Sequence, residues 1–146
     1  MYKDLILQKQ RRQELINIYR EVAPGCWSQT QACEKVVNHE ASCFFLTPHA
    51  AYNALRKVFY GTEDDINVVK PNDKRKYTEI LKRVIALSKT PEHSHLNLRQ
   101  LCEIVVSQKA PEFYLEPRTF SRILVRERKE QLSRLRNESR RKSQNC

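Results

Sequence analysis

Residues 28–58 align on residues 97–127 without a gap, at a constant offset of 69 positions. Ten positions are identical across the pair: Gln31/Gln100, Cys33/Cys102, Glu34/Glu103, Val36/Val105, Val37/Val106, Ala41/Ala110, Phe44/Phe113, Leu46/Leu115, Pro48/Pro117 and Leu55/Leu124. Self-similarity at a fixed period defines the building unit of a chain before any residue defines a chemistry. It also supplies an internal control. A side chain required by the fold should recur in both copies, and one private to a single copy has another reason to be there.

Each copy punctuates itself in the same way. Leu15, Ile18, Tyr19 and Val22 lie at i, i+3, i+4 and i+7, one apolar stripe of a helix over 3–22 that Pro24 and Gly25 stop. Ser28 with Gln31, and Asn97 with Gln100, have the spacing of a capping box, and Leu96 with Leu101 that of a hydrophobic staple. The second helix is expected to end near Glu40 in one copy and Lys109 in the other. The apolar runs Cys43-Phe44-Phe45-Leu46 and Glu112-Phe113-Tyr114-Leu115 are too short for helices. Alternation of period two predicts extended connectors with Phe44/Phe113 and Leu46/Leu115 on one side. Thr47-Pro48 and Glu116-Pro117 then start a third helix, since proline suits its first turn. In the first copy that helix points Ala51, Leu55, Val58 and Phe59 inward and stops at Gly61. In the second copy Phe120 and Leu124 continue the apolar side, and with no glycine to stop it the helix should run on past Leu132 and Leu135. A helix over about 75–88 carries Tyr77, Ile80, Leu81, Val84 and Ile85 on one face.

The expected architecture is all-α, a tandem pseudo-repeat of two three-helix units with short extended apolar connectors. The boundaries are a first unit over 1–61, a linker over 62–73 that is acidic at Glu63-Asp64-Asp65, a second unit over 74–130, and a basic helical extension or tail over 131–146. Units of about 60 residues are marginal alone, so the copies should lean on each other. Two glycines and the absence of a long apolar run favour helix and argue against a membrane span, and the mixed charged start argues against a signal peptide. Five cysteines, an odd number with no CxxC pair, argue against a disulfide framework and for a reducing cytoplasm. Cys33 and Cys102 stand at equivalent helical points, as small buried apolar residues do.

No catalytic constellation emerges. Cys33, His39, Cys43 and His49 cluster in sequence, yet their spacing fits no compact zinc pattern, and the second copy keeps only Cys102, with Gln108, Glu112 and Arg118 at the other places. Glu92-His93-Ser94-His95 is at best a weak surface chelator. There is no phosphate-binding glycine loop, no HExxH and no oxyanion turn to serve a nucleophile. Glu34 and Glu103 recur near helix starts, where a negative charge suits the helix dipole. We therefore expect no enzyme, cofactor or metal.

Charge points elsewhere. The net charge is +10, and from Arg118 onward ten Lys or Arg stand against three acids. Arg118, Arg122, Arg126 and Lys129 fall at i, i+4, i+8 and i+11, on one helix face. Their aligned counterparts include His49, Asn53 and Lys57, and the stripe merges into Arg134, Arg136, Arg140, Arg141 and Lys142. Such a face fits phosphates or base edges, and a three-helix unit ending in a basic helix weakly resembles helix-turn-helix domains. The connector over 41–47 is longer than their usual turn.

The segments 41–48 with Ala50-Ala51, and 110–117, together with the entry Pro24-Gly25-Cys26-Trp27, resemble a group of small repeat-containing proteins of gut Bacteroidetes and their crAss-like phages. The resemblance implies a bacterial or phage origin and a helical repeat, and it carries over no functional residue. The expected function is a non-enzymatic nucleic-acid-binding, DNA-directed accessory or regulatory protein of a bacterium or phage. It would be cytoplasmic in the bacterium or infected cell, or virion-associated. The alternative is a helical protein–protein interaction component, such as part of a virion or scaffold, with a protein partner or a homo-oligomer.

Overall fold

A computed structural model describes residues 2–144, with side chains over 4–144. Among the described residues there are six α-helices and no named strand: α1 Tyr2–Val22, α2 Gln29–Val37, α3 Pro48–Phe59, α4 Pro71–Ser88, α5 Leu98–Val106 and α6 Pro117–Gln144. A single 3-10 turn, Ala23–Gly25, follows α1. The helix α4 begins four residues before the expected start, because Pro71 occupies the first turn, where its missing N–H costs nothing. The helices α2 and α5 end three residues early, at Val37 and Val106.

Both capping positions work, with one difference. Asn97 and Gln100 form a complete box: Asn97 Oδ1 accepts from Gln100 N at 2.9 Å and Gln100 Oε1 accepts from Asn97 N at 3.0 Å. Ser28 Oγ likewise accepts from Gln31 N at 3.1 Å, but Gln31 Oε1 accepts from Trp27 N, at 2.7 Å.

The connectors are where the chain closes on itself. Ala41 and Ala110, aligned in sequence, form an antiparallel bridge, each N–H donating to the other's carbonyl at 2.9 Å. Phe44 N–H donates to Val106 O at 3.1 Å, and Phe113 N–H to Val37 O at 3.0 Å. Each connector therefore supplies a donor to a terminal carbonyl of the other copy's second helix, groups a helix cannot satisfy by itself. Ala41 and Ala110 are both buried at this bridge.

Strict alternation fails one residue later. Phe45 (φ 52°) and Tyr114 (φ 54°) occupy the left-handed region, which costs a bulky residue on the order of 1–3 kcal/mol. The kink lets two consecutive aromatics of each connector pack against the core. Phe44 stacks on Tyr114 with centroids 6.2 Å apart, and Phe45 on Phe113 at 6.0 Å. Two such pairs contribute about 0.5–1.5 kcal/mol each beyond their area burial, which offsets the backbone strain. Leu46 and Leu115 are partly buried against the same core. On the outside, Arg83 lies 5.0 Å over Phe44 and Arg75 5.6 Å over Tyr114.

Helix packing follows the same reciprocity. The first helices lie on their own second helices, α1 on α2 and α4 on α5. The third helices cross over: α3 packs on α5 and α4, and α6 on α2 and α1. One continuous core results, centred on Leu15, Val36, Leu55, Ile80, Val84, Leu98, Leu101, Val105 and Phe120. Tyr19 of α1 meets Phe120 of α6 edge-on at 5.9 Å. Cys33 and Cys102 are buried within it, and burial pushes the Cys102 thiol up to about 11.

Candidate nucleic-acid interface

The helix α6 is 28 residues long, about 42 Å at 1.5 Å per residue. Its inner half is held by Phe120 and Leu124, both buried; every residue over 131–144 is exposed, including Leu132 and Leu135. Half of the element is thus bolted to the core and half projects from it. The cations sit along its whole length. Arg118, Arg122, Arg126, Lys129, Arg134, Arg136, Arg140, Arg141 and Lys142 are all exposed. Arg136 and Arg140 follow Arg118 and Arg122 by 18 residues, five whole turns, and so continue the same stripe. From Arg118 to Arg140 the stripe is about 33 Å long.

Tertiary structure removes its acids. Arg12 of α1 donates to Glu127 at 2.7 Å and to Glu130 at 3.0 Å, engaging two of the three carboxylates on α6. Among the described residues, none of the ten cations from Arg118 to Lys142 lies within ion-pair distance of an acid. Unpaired charges on a projecting helix repel one another and attract polyanions, with a range of about 8 Å at physiological ionic strength.

A second helix contributes cations that the sequence pattern of α6 did not reveal. A groove of about 260 Å³ between α1 and α6 is lined by Leu5, Gln8, Lys9, Arg11, Arg12, Ile123 and Arg126. The signal for it was the run Lys9-Gln10-Arg11-Arg12, which has meaning only once α1 is known to lie on α6. Burial lowers the Arg11 pKa, an effect that Asp73 partly opposes.

The stripe on α3 is placed differently. His49, Asn53 and Lys57 are exposed on a helix that packs on α4 and α5. Asn53 Nδ2 lies 3.1 Å from His49 Nε2, and Lys57 pairs with Glu63 at 3.5 Å. These groups are partnered locally, in contrast to their aligned counterparts on α6.

Among the described residues no three His, Cys, Asp or Glu side chains gather as a metal site, and no helix is long and apolar enough to cross a membrane. Cys146 lies outside the described residues. No protein-family model, curated protein or solved structure matches this chain.

Proposed function

We propose that this is a non-enzymatic nucleic-acid-binding protein, a DNA-directed accessory or regulatory factor of a bacterium or phage, whose principal contact is the outer stripe of α6. The observation that carries the proposal is the segregation of charge: Arg12 engages Glu127 and Glu130, and among the described residues the cations of α6 have no acid within ion-pair distance. Phosphates are the abundant partner for such a row, and their attraction is strong and weakly sequence-specific. The fold is proposed as two pseudo-repeated units around a local two-fold axis. The mutual pairing of Ala41 with Ala110, the paired positive φ angles and the crossed third helices support it. The α3 stripe is the weaker partner in this arrangement, its Lys57 being already paired.

One observation favours the alternative, a helical interaction or virion component: an apolar groove of about 470 Å³ lined by residues such as Ile6, Leu7, Cys43, Leu46 and Val106. The two readings separate on one pair of substitutions. Arg122→Ala with Arg126→Ala should weaken binding of labelled oligonucleotides at least tenfold in fluorescence anisotropy, with circular dichroism unchanged, because both side chains are exposed. Unaltered binding by the double variant would count against α6 as the contact.

A further inference from the structure

Trp27 is the chain's one tryptophan and is 96% exposed. Its aligned counterpart, Leu96, packs against the core, where Leu101 provides the other half of the staple. In the first copy the place of Leu101 is taken by Ala32, too small to hold a ring. The largest aromatic side chain is therefore private to one copy and stands in water, although tryptophan is among the more buried residues on average. Its backbone is nevertheless tied. Trp27 N–H donates to Gln31 Oε1 at 2.7 Å, Cys26 N–H donates to Ala23 O at 3.0 Å, and the Cys26 thiol lies 3.2 Å from Val22 O.

Beside this turn, the first turns of α2 and α6 enclose a cleft of about 510 Å³ lined by Gln29, Thr30, Cys33, Pro117, Arg118 and Ser121. Arg118 is the first cation of the α6 stripe, and it lines the cleft together with Gln29, which follows Trp27 by two positions in the chain. The indole's sequence neighbours Ser28, Gln29 and Thr30 are exposed and polar, and their side chains can donate to and accept from the edge of a base. An exposed indole is thus followed in the chain by residues of a cleft that holds hydrogen-bonding groups and a guanidinium, the chemistry a nucleotide requires for its base, its edge and its phosphate.

We propose that Trp27 and the α2–α6 cleft form a stacking site for an unpaired nucleobase, which makes single-stranded nucleic acid the ligand class of the α6 surface. The proposal rests on the nucleic-acid reading above and narrows it. Bases within a duplex are stacked on each other and present no free face, whereas every base of a single strand does. The strand would begin on Trp27, pass Arg118 and follow Arg122, Arg126 and Lys129 along α6.

The sole indole is its own reporter. Intrinsic fluorescence of the full chain is titrated with unlabelled oligothymidylate and with duplex DNA at low salt, alongside anisotropy of the same labelled strands. The expected results are strong quenching by the single strand, little by the duplex, and a loss of about tenfold or more in single-strand affinity for Trp27→Ala, the range that loss of one aromatic platform produces. Trp27→Phe should keep part of that affinity, and the ring's exposure leaves the fold of both variants intact, checked by circular dichroism. Tight single-strand binding without quenching, or undiminished in Trp27→Ala, would overturn the stacking site and leave the nucleic-acid reading standing, as would equal quenching by duplex. If neither strand form binds in anisotropy, both fall.

Discussion

Tyr114 and Cys102 are ionisable groups placed where ionisation is costly. Burial pushes the Tyr114 phenol up to about 12, helped by Glu79 and Glu112, and the Cys102 thiol up to about 11; Cys33 and Tyr77 move in the same direction. A group whose pKa is raised on folding contributes stability that is complete below its unfolded value and is lost as pH rises through the folded one. Lys76 opposes this, since burial lowers its pKa, and stability gains as pH rises from that value toward its unfolded one. The acidic groups outnumber it, so denaturation midpoints should fall between about pH 9 and 12. Tyr114→Phe should flatten the upper part of that fall; an unchanged profile would show that the phenol ionises freely in the folded chain. The residue scale was only partly legible. Caps and the buried Phe44 and Phe113 follow from local spacing. The left-handed turns at Phe45 and Tyr114 do not, because period two assumes an unbroken strand and here tertiary stacking overrides it.

At the scale of elements, α6 divides at Glu130, the last residue that α1 holds. Removal of residues 131–146 deletes exposed side chains over 131–144, so unfolding free energy should change by no more than about 0.5 kcal/mol. In the full chain the amides of 131–144 should exchange hydrogen far faster than those of 117–130, because no tertiary burial protects them. Truncation should also weaken oligonucleotide binding without abolishing it. Protection over 131–144 equal to that of the inner half would show that the projecting part is covered in solution. The sequence indicated a helix running through the arginines and its cationic stripe, both periodic features. It could not indicate that Glu127 and Glu130 turn to Arg12, a residue more than a hundred positions away. Nor did it place the start of α4, where Pro71 serves equally as loop punctuation or as the first helical residue.

For the whole molecule, the consequential feature is that α3 and α6 each dock on the other copy's second helix. The repeat could not specify this. The shared positions leave it open; α5 buries Leu98 and Leu101 where α2 has Gln29 and Ala32, and the connectors meet at Ala41 and Ala110. Neither half then has a complete core without the other. A protease site inserted after Val69, which is 97% exposed, should be cut without loss of the fold: the two fragments should co-migrate in size exclusion and melt in one transition. Separation of the fragments into folded halves would contradict the crossed packing.

The charge segregation of the same assembly is tested most directly by salt. Affinity for labelled single-stranded and duplex DNA is measured by anisotropy across a salt series, with the full chain and the Arg122→Ala, Arg126→Ala variant. If the stripe contacts phosphates, log affinity falls linearly with log salt, and the variant's slope is shallower by about 1.4 to 1.8, the change expected for two lost phosphate contacts. No binding at low salt, or binding whose slope is the same in both proteins, would contradict the account.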